Sequence, residues 1–305
     1  MTATDADPHS ADDPASAAQG QGDFRSPARR AWDRFMRNRS AVAGLIIIGL
    51  MGLTSIFVPI LSPKDIEAVS WEHVLSPPSL ETGYLFGTDV NGRDLFVRTF
   101  YAGRISLAIG LLATAIAFAI GVVYGSISGY FGGALDAFMM RVCDVLYALP
   151  TLFFIIILVT VLGAKNIFIV FMCIGAVEWL TMARIVRGQT LSVKQKEYVE
   201  AAKAIGLPTS KILSRYIVPN VTSAVIVYVT LLIPVNILIE SYLSFLGLGV
   251  QEPLTSWGLL ISQGSVEMEN APWLLFFPAV FLTITLFAFN FIGDGLRDAL
   301  DPKDR

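Results

Sequence analysis

The stretch ISLAIGLLATAIAFAIGVVYG, residues 105–125, decides the fold of this chain. It lies in a longer run, residues 105–135, that has no charged side chain. An α-helix of about 20 mostly apolar residues is long enough to cross the hydrocarbon core of a bilayer. The whole chain of 305 residues shares this bias, because 54% of its residues are hydrophobic and only 15% are charged, against about a quarter in soluble domains. Large parts of the chain therefore cannot face water.

Six segments of the chain are long and apolar enough to be membrane-spanning helices. The glycine-rich tract from Gly125 to Gly133 is expected to end the second of them in a tight turn. Backbone polar groups in hydrocarbon must be satisfied within the segment, as they are in a helix. We therefore predict an all-α integral membrane protein with six transmembrane helices, the last five in a core over residues 104–293. The predicted spans are 41–61, 105–125, roughly 142–163 and 166–186, 221–245 and 273–293.

The residues before the first span divide into two parts. Residues 1–23 are acidic and small, without a periodic apolar pattern, and are predicted to be disordered. Residues 24–40 carry six arginines, and Trp32, Phe35 and Met36 lie close together on one helical face. This pattern predicts a basic amphipathic helix on the membrane surface, although a solvated basic leader would have the same composition. The membrane span that follows favours the interfacial helix.

Lysine and arginine are distributed unevenly over the predicted loops. With the N-terminus in the cytoplasm, the leader holds six, the segment Arg184–Arg215 seven and the tail three, so that sixteen face the cytoplasm and five face outward. Arg141, inside the third span, counts for neither side and is expected to pair with Asp144. Because short loops rich in Lys and Arg stay in the cytoplasm, we predict both termini inside. An extracytoplasmic loop then covers 62–103, and a cytoplasmic tail covers 294–305.

The cytoplasmic loop 187–220 reads RGQTLSVKQKEYVEAAKAIGLPTSKILSRYIVPN. Ser192 and Gln195 form a capping-box pattern that predicts the start of a helix. Gly206 fits the residue that follows the helix C-terminus, and Pro208 prevents the helix from continuing. The loop is therefore predicted to contain a helix, a sharp break and a second helix.

The second helix of this loop is predicted to end near Pro219. On the first helix, Ala201 and Ala202 leave a smooth face that a partner surface can approach closely. Glu200 beside them can accept hydrogen bonds from that partner. A surface hairpin without any partner would have the same spacing of residues.

The residues Glu200–Ala202, followed by Gly206 and Pro219, resemble the EAA signature of ATP-binding-cassette importer permeases. Val218 stands before the proline, where leucine is commoner in that family. In the family this cytoplasmic loop docks into a groove on the ATPase subunit. The resemblance therefore implies that the ATPase-coupling residues are Glu200, Ala201, Ala202, Gly206, Pro208 and Pro219.

The resemblance extends from about residue 25 to the C-terminus and is closest to the dipeptide/oligopeptide permeases of the C type. It implies the type I importer permease fold and a location in the cell's inner membrane with several spans. It also implies a second, related permease subunit, two ATPase subunits that bind ATP and Mg, and an extracytoplasmic binding protein. The motifs that carry it are 29–35, Phe86–Asp89, Gly92–Asp94, Ser244–Gly249, Ser256–Gly258, Gly293–Asp298 and Asp301–Pro302.

One of these motifs lies in the predicted outer loop, where glycines and short polar residues form a tight turn. The resemblance places it at the outer mouth, near the binding protein, but a role that only shapes the loop would need the same residues. The residues concerned are Gly87, Thr88, Asp89, Gly92, Arg93 and Asp94.

The chain lacks the motifs of an enzyme. A phosphate loop needs a second glycine before its lysine, and the nearest string, Gly206–Lys211, does not have one. The histidines are His9 and His73, and neither lies in a predicted span, which leaves a hydrolase without a base and a metal without enough ligands. We therefore expect no catalytic residue, no metal or cofactor in this chain, and no nucleic-acid partner.

The alternative function is that of a secondary transporter or channel, in which ionisable residues at mid-membrane carry ions. The candidates are Glu178 and Glu240. Glu178 is expected to pair with Arg141 or Arg184, or to face the pathway. Glu240, with Ser244, is expected in the pathway or in a subunit contact. Two scattered acids do not form a relay, so the importer permease is the preferred interpretation; its cargo, whether dipeptide, oligopeptide, glutathione or nickel, stays open.

Overall fold

Almost all of the chain that the computed structural model describes, residues 27–163 and 166–300, is helical. Within these ranges, β pairing is limited to two isolated bridges, which confirms the all-α architecture. The predicted disorder at 1–23 and the motif at Asp301–Pro302 lie outside the described residues. The helices are α1 Pro27–Arg37, α2 Arg39–Leu61, α3 Leu95–Phe131, α4 Gly133–Tyr147, α5 Thr151–Leu162, α6 Ile167–Val193, α7 Glu197–Ala204, α8 Thr209–Ile212, α9 Val218–Phe245, α10 Trp257–Val266 and α11 Trp273–Leu300.

Five helices are each long and apolar enough to cross a membrane, and a bent pair supplies the sixth crossing if it counts as one span. The five are α2, α3, α6, α11 and the continuous helix Thr209–Phe245, which contains α8 and α9. The predicted third span is not one straight helix, because α4 and α5 meet at an angle of 82°. Pro150 explains the break, since the residue before a proline is pushed out of helical geometry.

The glycine-rich tract does not form the turn over its whole length, as the sequence predicts. The helix α3 continues through Gly125 and Gly129, and only Gly132 and Gly133 turn, with φ of 67° and 57°. The two helical glycines pack against α6. A Cβ atom on Gly125 would lie 2.4 Å from the carbonyl oxygen of Ala183. They therefore allow α3 and α6 to approach closely instead of ending the span.

The helix α1 packs beneath the C-terminal end of α11. Phe35 is only 3% exposed and clusters with apolar residues of α2 and α11. A Cβ atom on Gly295 would lie 2.2 Å from the Cβ atom of Ala41, so the absence of a side chain at Gly295 lets α2 and α11 pack closely here. As a result, α11 continues as a helix to Leu300. The predicted tail over 294–305 is therefore helical in its first seven residues.

Candidate functional site: a helical hairpin and two polar clusters

The first helix of the predicted cytoplasmic hairpin begins later than the sequence predicts. Because α6 continues to Val193, Ser192 lies inside that helix and cannot cap the next one. The helix α7 begins at Glu197, and the capping position is held by Lys196, whose side chain makes no cap hydrogen bond. The capping-box prediction is therefore wrong, since the long membrane helix extends over it.

The break at Gly206 has the geometry that the sequence predicts. Gly206 has a φ of +78°. The N–H of Leu207 donates to the carbonyl of Ala202 (3.1 Å), and the N–H of Gly206 donates to that of Lys203 (2.9 Å). These two bonds define a Schellman motif at the C-terminus of α7. A Cβ atom at Gly206 would meet nothing within 4 Å, so glycine is required for its backbone conformation and not for space.

The second limb of the hairpin does not end near Pro219. The helix α8 begins at Thr209 after Pro208, which occupies the capping position. A π-helical turn, Leu213–Ile217, then leads directly into α9. Pro219 is the second residue of α9, directly after the π-helical turn, and the helix continues through it. The second limb is therefore an extension of the membrane helix α9.

The exposed face of α7 differs from the predicted one. Glu200 and Ala201 are exposed, but Ala202 is only 3% exposed and packs into the apolar core below the hairpin. Tyr198 and Ile205 are 42% and 76% exposed, and with Ala201 they follow the i, i+3, i+7 spacing of one helical face. Sequence reasoning missed this stripe, although the spacing was its signal. The remaining predicted coupling residues, Gly206, Pro208 and Pro219, are also exposed.

A cluster of four charged side chains joins the two loops that are predicted to face outward. Asp89 Oδ2 accepts a hydrogen bond from Arg93 Nε (2.7 Å), and Arg93 Nη2 donates to Glu252 Oε1 (3.0 Å). Arg98, only 1% exposed, lies 3.6 Å from Asp89 and 3.5 Å from Glu252. The hydrogen bond from Arg93 lowers the pKa of Glu252 below its ordinary value, although partial burial opposes this. Arg98 and Glu252 were not among the predicted site residues.

Two predicted outer-loop glycines have a positive φ and lie against backbone. Gly87 and Gly92 have φ of 80° and 71°. A Cβ atom on Gly87 would lie 2.6 Å from the carbonyl oxygen of Ser76, and one on Gly92 would lie 2.1 Å from that of Ser70. Neither position has room for a larger residue, so both glycines hold the folded shape of the loop.

All six predicted outer-mouth residues are buried. Asp94 caps α3, because its Oδ1 accepts hydrogen bonds from the N–H groups of Phe96 (2.8 Å) and Val97 (3.4 Å). The helix therefore starts at Leu95, and the predicted loop 62–103 ends nine residues earlier than expected. The exposed tip of this turn consists of Val90 and Asn91.

Glu240 is fully buried inside this subunit. Its Oε1 accepts from Ser244 Oγ (2.6 Å), and its Oε2 accepts from Ser106 Oγ (3.2 Å). The placement agrees with the expectation that this carboxyl group avoids lipid. In this conformation, however, Glu240 lines no surface, so it touches neither a pathway nor a second subunit directly. Ser244, 1% exposed, is equally enclosed.

Glu178 lies on α6 and is 8% exposed. Among the described residues it has no ion-pair or hydrogen-bond partner. Arg184 Nη2 instead pairs with Asp144 Oδ1 at 2.9 Å, so the expected pairing of Glu178 with Arg141 or Arg184 is wrong, and so is that of Arg141 with Asp144. No hydrogen bond within the described ranges joins Glu178 to the cluster around Glu240. In the same ranges, no group of three or more His, Cys, Asp or Glu is placed to hold a metal ion.

Comparison with known families identifies the class of protein. Residues 121–305 match the family described as binding-protein-dependent transport system inner membrane component. Residues 26–78 match the N-terminal transmembrane domain of oligopeptide transport permease C. The first match covers more than half of the chain, so the protein belongs to this family of transport-system membrane components. The resemblance read from the sequence and the type I importer permease fold are confirmed.

Several relatives match this chain over most of the length of both proteins. It is 56% identical over 281 residues to the oligopeptide transport system permease protein OppC of Escherichia coli K12, covering 92% of this chain and 93% of that protein. It is 53% identical over 281 residues to OppC of Haemophilus influenzae, covering 92% and 90%. It is 45% identical over 276 residues to the dipeptide transport system permease protein DppC of Bacillus subtilis, covering 90% and 85%. The chain is thus a permease subunit of an importer, and the secondary-transporter alternative has no support.

Proposed function

We propose that this protein is the C-type permease subunit of a peptide importer driven by ATP. With a second, related permease subunit it forms the path along which peptides cross the inner membrane. An extracytoplasmic binding protein delivers the peptides, and two ATPase subunits bind ATP and Mg and drive the cycle. The observation that carries this proposal is the 56% identity over 92% of the chain to a relative named for oligopeptide transport.

Peptides are favoured over the other cargoes. Relatives named for oligopeptide transport are 47–56% identical to this chain, and one named for dipeptide transport is 45% identical. A relative named for glutathione transport is 39% identical over 92% of the chain. The spans carry few groups that could recognise a peptide backbone, which supports a path that leaves selection to the binding protein.

We place the ATPase contact on the α7–α8 hairpin. The exposed stripe of Tyr198, Ala201 and Ile205 supplies an apolar surface, and Glu200 beside it supplies a hydrogen-bond acceptor. Apolar helix faces of this kind bind in hydrophobic grooves. The second limb continues into a membrane helix without interruption, so a push on the hairpin moves that helix directly. This contact also requires the hairpin and both termini to lie in the cytoplasm, as the distribution of Lys and Arg indicates.

The outer-mouth motif acts, in this proposal, through the shape of its loop. Its buried residues Gly87, Thr88, Asp89, Gly92, Arg93 and Asp94 hold Val90 and Asn91 at the surface. The binding protein contacts this tip and the neighbouring Trp71, which is 80% exposed. Glu178, slightly exposed on α6, faces the pathway. These side chains bind no cofactor, and all nucleotide binds to the ATPase partners.

Uptake by the complete importer in proteoliposomes tests the proposal. Radiolabelled tripeptide should accumulate only when this chain, its permease partner, the ATPase subunits, the loaded binding protein and internal ATP are all present. Excess unlabelled pentapeptide should compete, and excess glutathione should not. Collapse of the proton gradient by an uncoupler should leave uptake unchanged. Uptake that persists without ATP, or that stops with the gradient, would refute ATP-driven import by this chain.

A further inference from the structure

The function proposed above assigns no role to the buried carboxyl group of Glu240, yet both of its oxygens accept hydrogen bonds. The side chain lies in a membrane-spanning helix and is 0% exposed. An ionisable group in such a place is costly and is retained where it has a function. Its hydrogen-bond partners are two serine hydroxyls, Ser106 on α3 and Ser244 one turn further along α9. No cation pairs with it among the described residues.

Both serines are in turn bound by the outer segment that follows α9. Ser106 Oγ accepts a hydrogen bond from the backbone N–H of Trp257 (3.2 Å). Ser244 Oγ accepts one from the backbone N–H of Val250 (3.2 Å) and lies 3.3 Å from Ser256 Oγ. A hydroxyl that accepts from an N–H has its own hydrogen free to donate. The two carboxyl oxygens of Glu240 therefore receive hydrogen bonds from the serines that hold the loop 246–256 at Val250 and at its junction with α10.

The helix α10 begins where this loop ends and is packed directly on α9. A Cβ atom on Gly258 would lie 2.5 Å from the Cα atom of Ser241, so the two backbones are in contact. Ser262 Oγ donates to the carbonyl of Phe245 (3.1 Å). Trp257, fully buried, donates from Nε1 to the carbonyl of Thr99 on α3 (3.0 Å). The start of α10 is thus held between α3 and α9 at the level of Glu240.

The helix that carries Glu240 begins in the α7–α8 hairpin, where the ATPase contact is proposed. Thr209–Phe245 is one continuous helix, and Glu240 follows Thr209 by 31 residues. At 1.5 Å per residue this separates the two by about 46 Å. The helix contains two features at which helices bend, the π-helical turn Leu213–Ile217 and Pro234, but it is unbroken from the hairpin to Glu240. A displacement of the hairpin therefore reaches Glu240.

We infer that Glu240 is the positioning residue through which α9 moves the outer loop 246–256 and α10. The inference rests on the proposed function, because the hairpin must move with the ATPase cycle. The carboxyl group links α3, α9 and the outer loop through Ser106 and Ser244. When α9 shifts, these hydrogen bonds carry the start of α10 with it, so that the outer side responds to nucleotide bound on the opposite side of the membrane.

Spin labels at the two ends of this connection test the inference in the assembled transporter. Cys143 and Cys173 are first replaced by alanine, and one label is attached at Lys203→Cys on the hairpin or at Glu267→Cys at the end of α10. Spectra are compared without nucleotide and after trapping with ATP and vanadate. With Glu240 present, both labels should change between the two states.

Two variants break the connection in different ways. Glu240→Gln keeps the size of the side chain but replaces one acceptor oxygen by a donor, so one serine loses its acceptor. Ser106→Ala leaves Glu240 in place and removes the link to Trp257. In both, the response at Lys203→Cys should persist, while the response at Glu267→Cys and the rate of peptide uptake should each fall at least twofold.

A matched control lies one turn away on the same helix. Asn236 is fully buried and donates to Thr114 Oγ1 on α3 (2.8 Å), and no hydrogen bond links it to the outer loop. Asn236→Ala should therefore keep the response of the Glu267→Cys label. Loss of that response in Asn236→Ala, or its full retention in Glu240→Gln, would overturn the inference. Absence of any response at Lys203→Cys before substitution would refute the coupling function and the inference with it.

Discussion

Replacement of Gly206 should disconnect the permease from its ATPase subunits without unfolding it. The φ of +78° places Gly206 in the left-handed region, and a Cβ atom there would meet nothing within 4 Å. Gly206→Ala therefore adds backbone strain without a steric clash. Relief of this strain should change the angle between α7 and α8, and with it the orientation of Glu200. The contacts between the membrane helices do not involve Gly206 and should stay unchanged.

The magnitude follows from the backbone conformation alone. A non-glycine residue in the left-handed region costs roughly 1–2 kcal/mol. If docking requires the bend observed here, this free energy is taken from the binding of the ATPase subunits. One or two kcal/mol corresponds to a factor of about 5–30 in an equilibrium constant. Gly206→Ala should therefore weaken ATPase capture about 5- to 30-fold, and Gly206→Val at least as much, because its branched side chain restricts the backbone further.

The structure offers a matched control at the opposite end of α9. Gly247 has a φ of +76°, and a Cβ atom there would also meet nothing within 4 Å. It likewise follows a helix C-terminus, with Leu248 N–H donating to Leu243 carbonyl at 2.8 Å. Gly247→Ala should introduce the same strain on the outer side and leave ATPase capture unchanged. Gly206→Asn should bind the ATPase subunits more tightly than Gly206→Ala does, since asparagine tolerates the left-handed region.

The assay measures capture of purified ATPase subunits by the permease pair in proteoliposomes, followed by substrate-stimulated ATP hydrolysis in the same vesicles. The amount of permease in the membrane is measured in parallel. Unchanged capture and hydrolysis in Gly206→Ala would refute the assignment of the hairpin as coupling site. Equal losses in Gly206→Ala and Gly247→Ala would show that general strain, and not the hairpin, is responsible.

Three further predictions address stability, pH and topology. Asp136 accepts two 2.6 Å hydrogen bonds from an arginine on α6, so Asp136→Asn should lower the free energy of unfolding in detergent by about 1.5–3 kcal/mol. Asp144→Asn breaks an exposed pair and should lower it by at most about 1 kcal/mol. Equal losses in the two variants would contradict this prediction. The pKa of Glu252 is lowered in the folded protein, so the stabilisation that the ionised Glu252 contributes is fully present above its ordinary pKa and is lost as the pH falls through the lower folded value. Protease cleavage of the outer loops should therefore stay constant down to about pH 5 and rise below it. The Glu252→Gln variant should be cleaved at every pH. An impermeant thiol reagent outside the cell should label Glu267→Cys but not Lys203→Cys, and the reverse pattern would overturn the proposed orientation.

Features with a local cause could be predicted from the sequence. The apolar length of 41–61 or 273–293 is sufficient to predict a span, because the bilayer imposes that length on any helix that crosses it. Gly206 is predictable for a similar reason, since a left-handed residue after a helix is almost always glycine. The break at Pro150 also had a local signal, the proline itself, which the apolar run around it concealed.

Features that depend on a partner far along the chain could not be predicted in this way. Arg93 and Glu252 are 159 residues apart, and nothing in either segment specifies the other. The same holds for Glu240 and Ser106, which are 134 residues apart. Gly125 and Gly129 read as a turn because their close contact with α6 is visible only in three dimensions. For Ser192 and Pro219, packing extended the membrane helices through residues that locally favour a boundary.

The hydrogen bonds around Glu240 also impose an order on biosynthesis. Trp257, whose N–H completes the set, follows Glu240 by 17 residues in the chain. At roughly 5–20 residues per second, the ribosome needs about 1–3 s to add them. Among the described helices that precede α9 in the chain, α3 supplies a hydrogen-bond partner to Glu240 through Ser106, and a charged side chain at the bilayer centre costs about 2.5–3.5 kcal/mol on insertion. An α9 that inserts against α3 therefore has one partner for Glu240 before the loop 246–256 supplies the remaining hydrogen bonds.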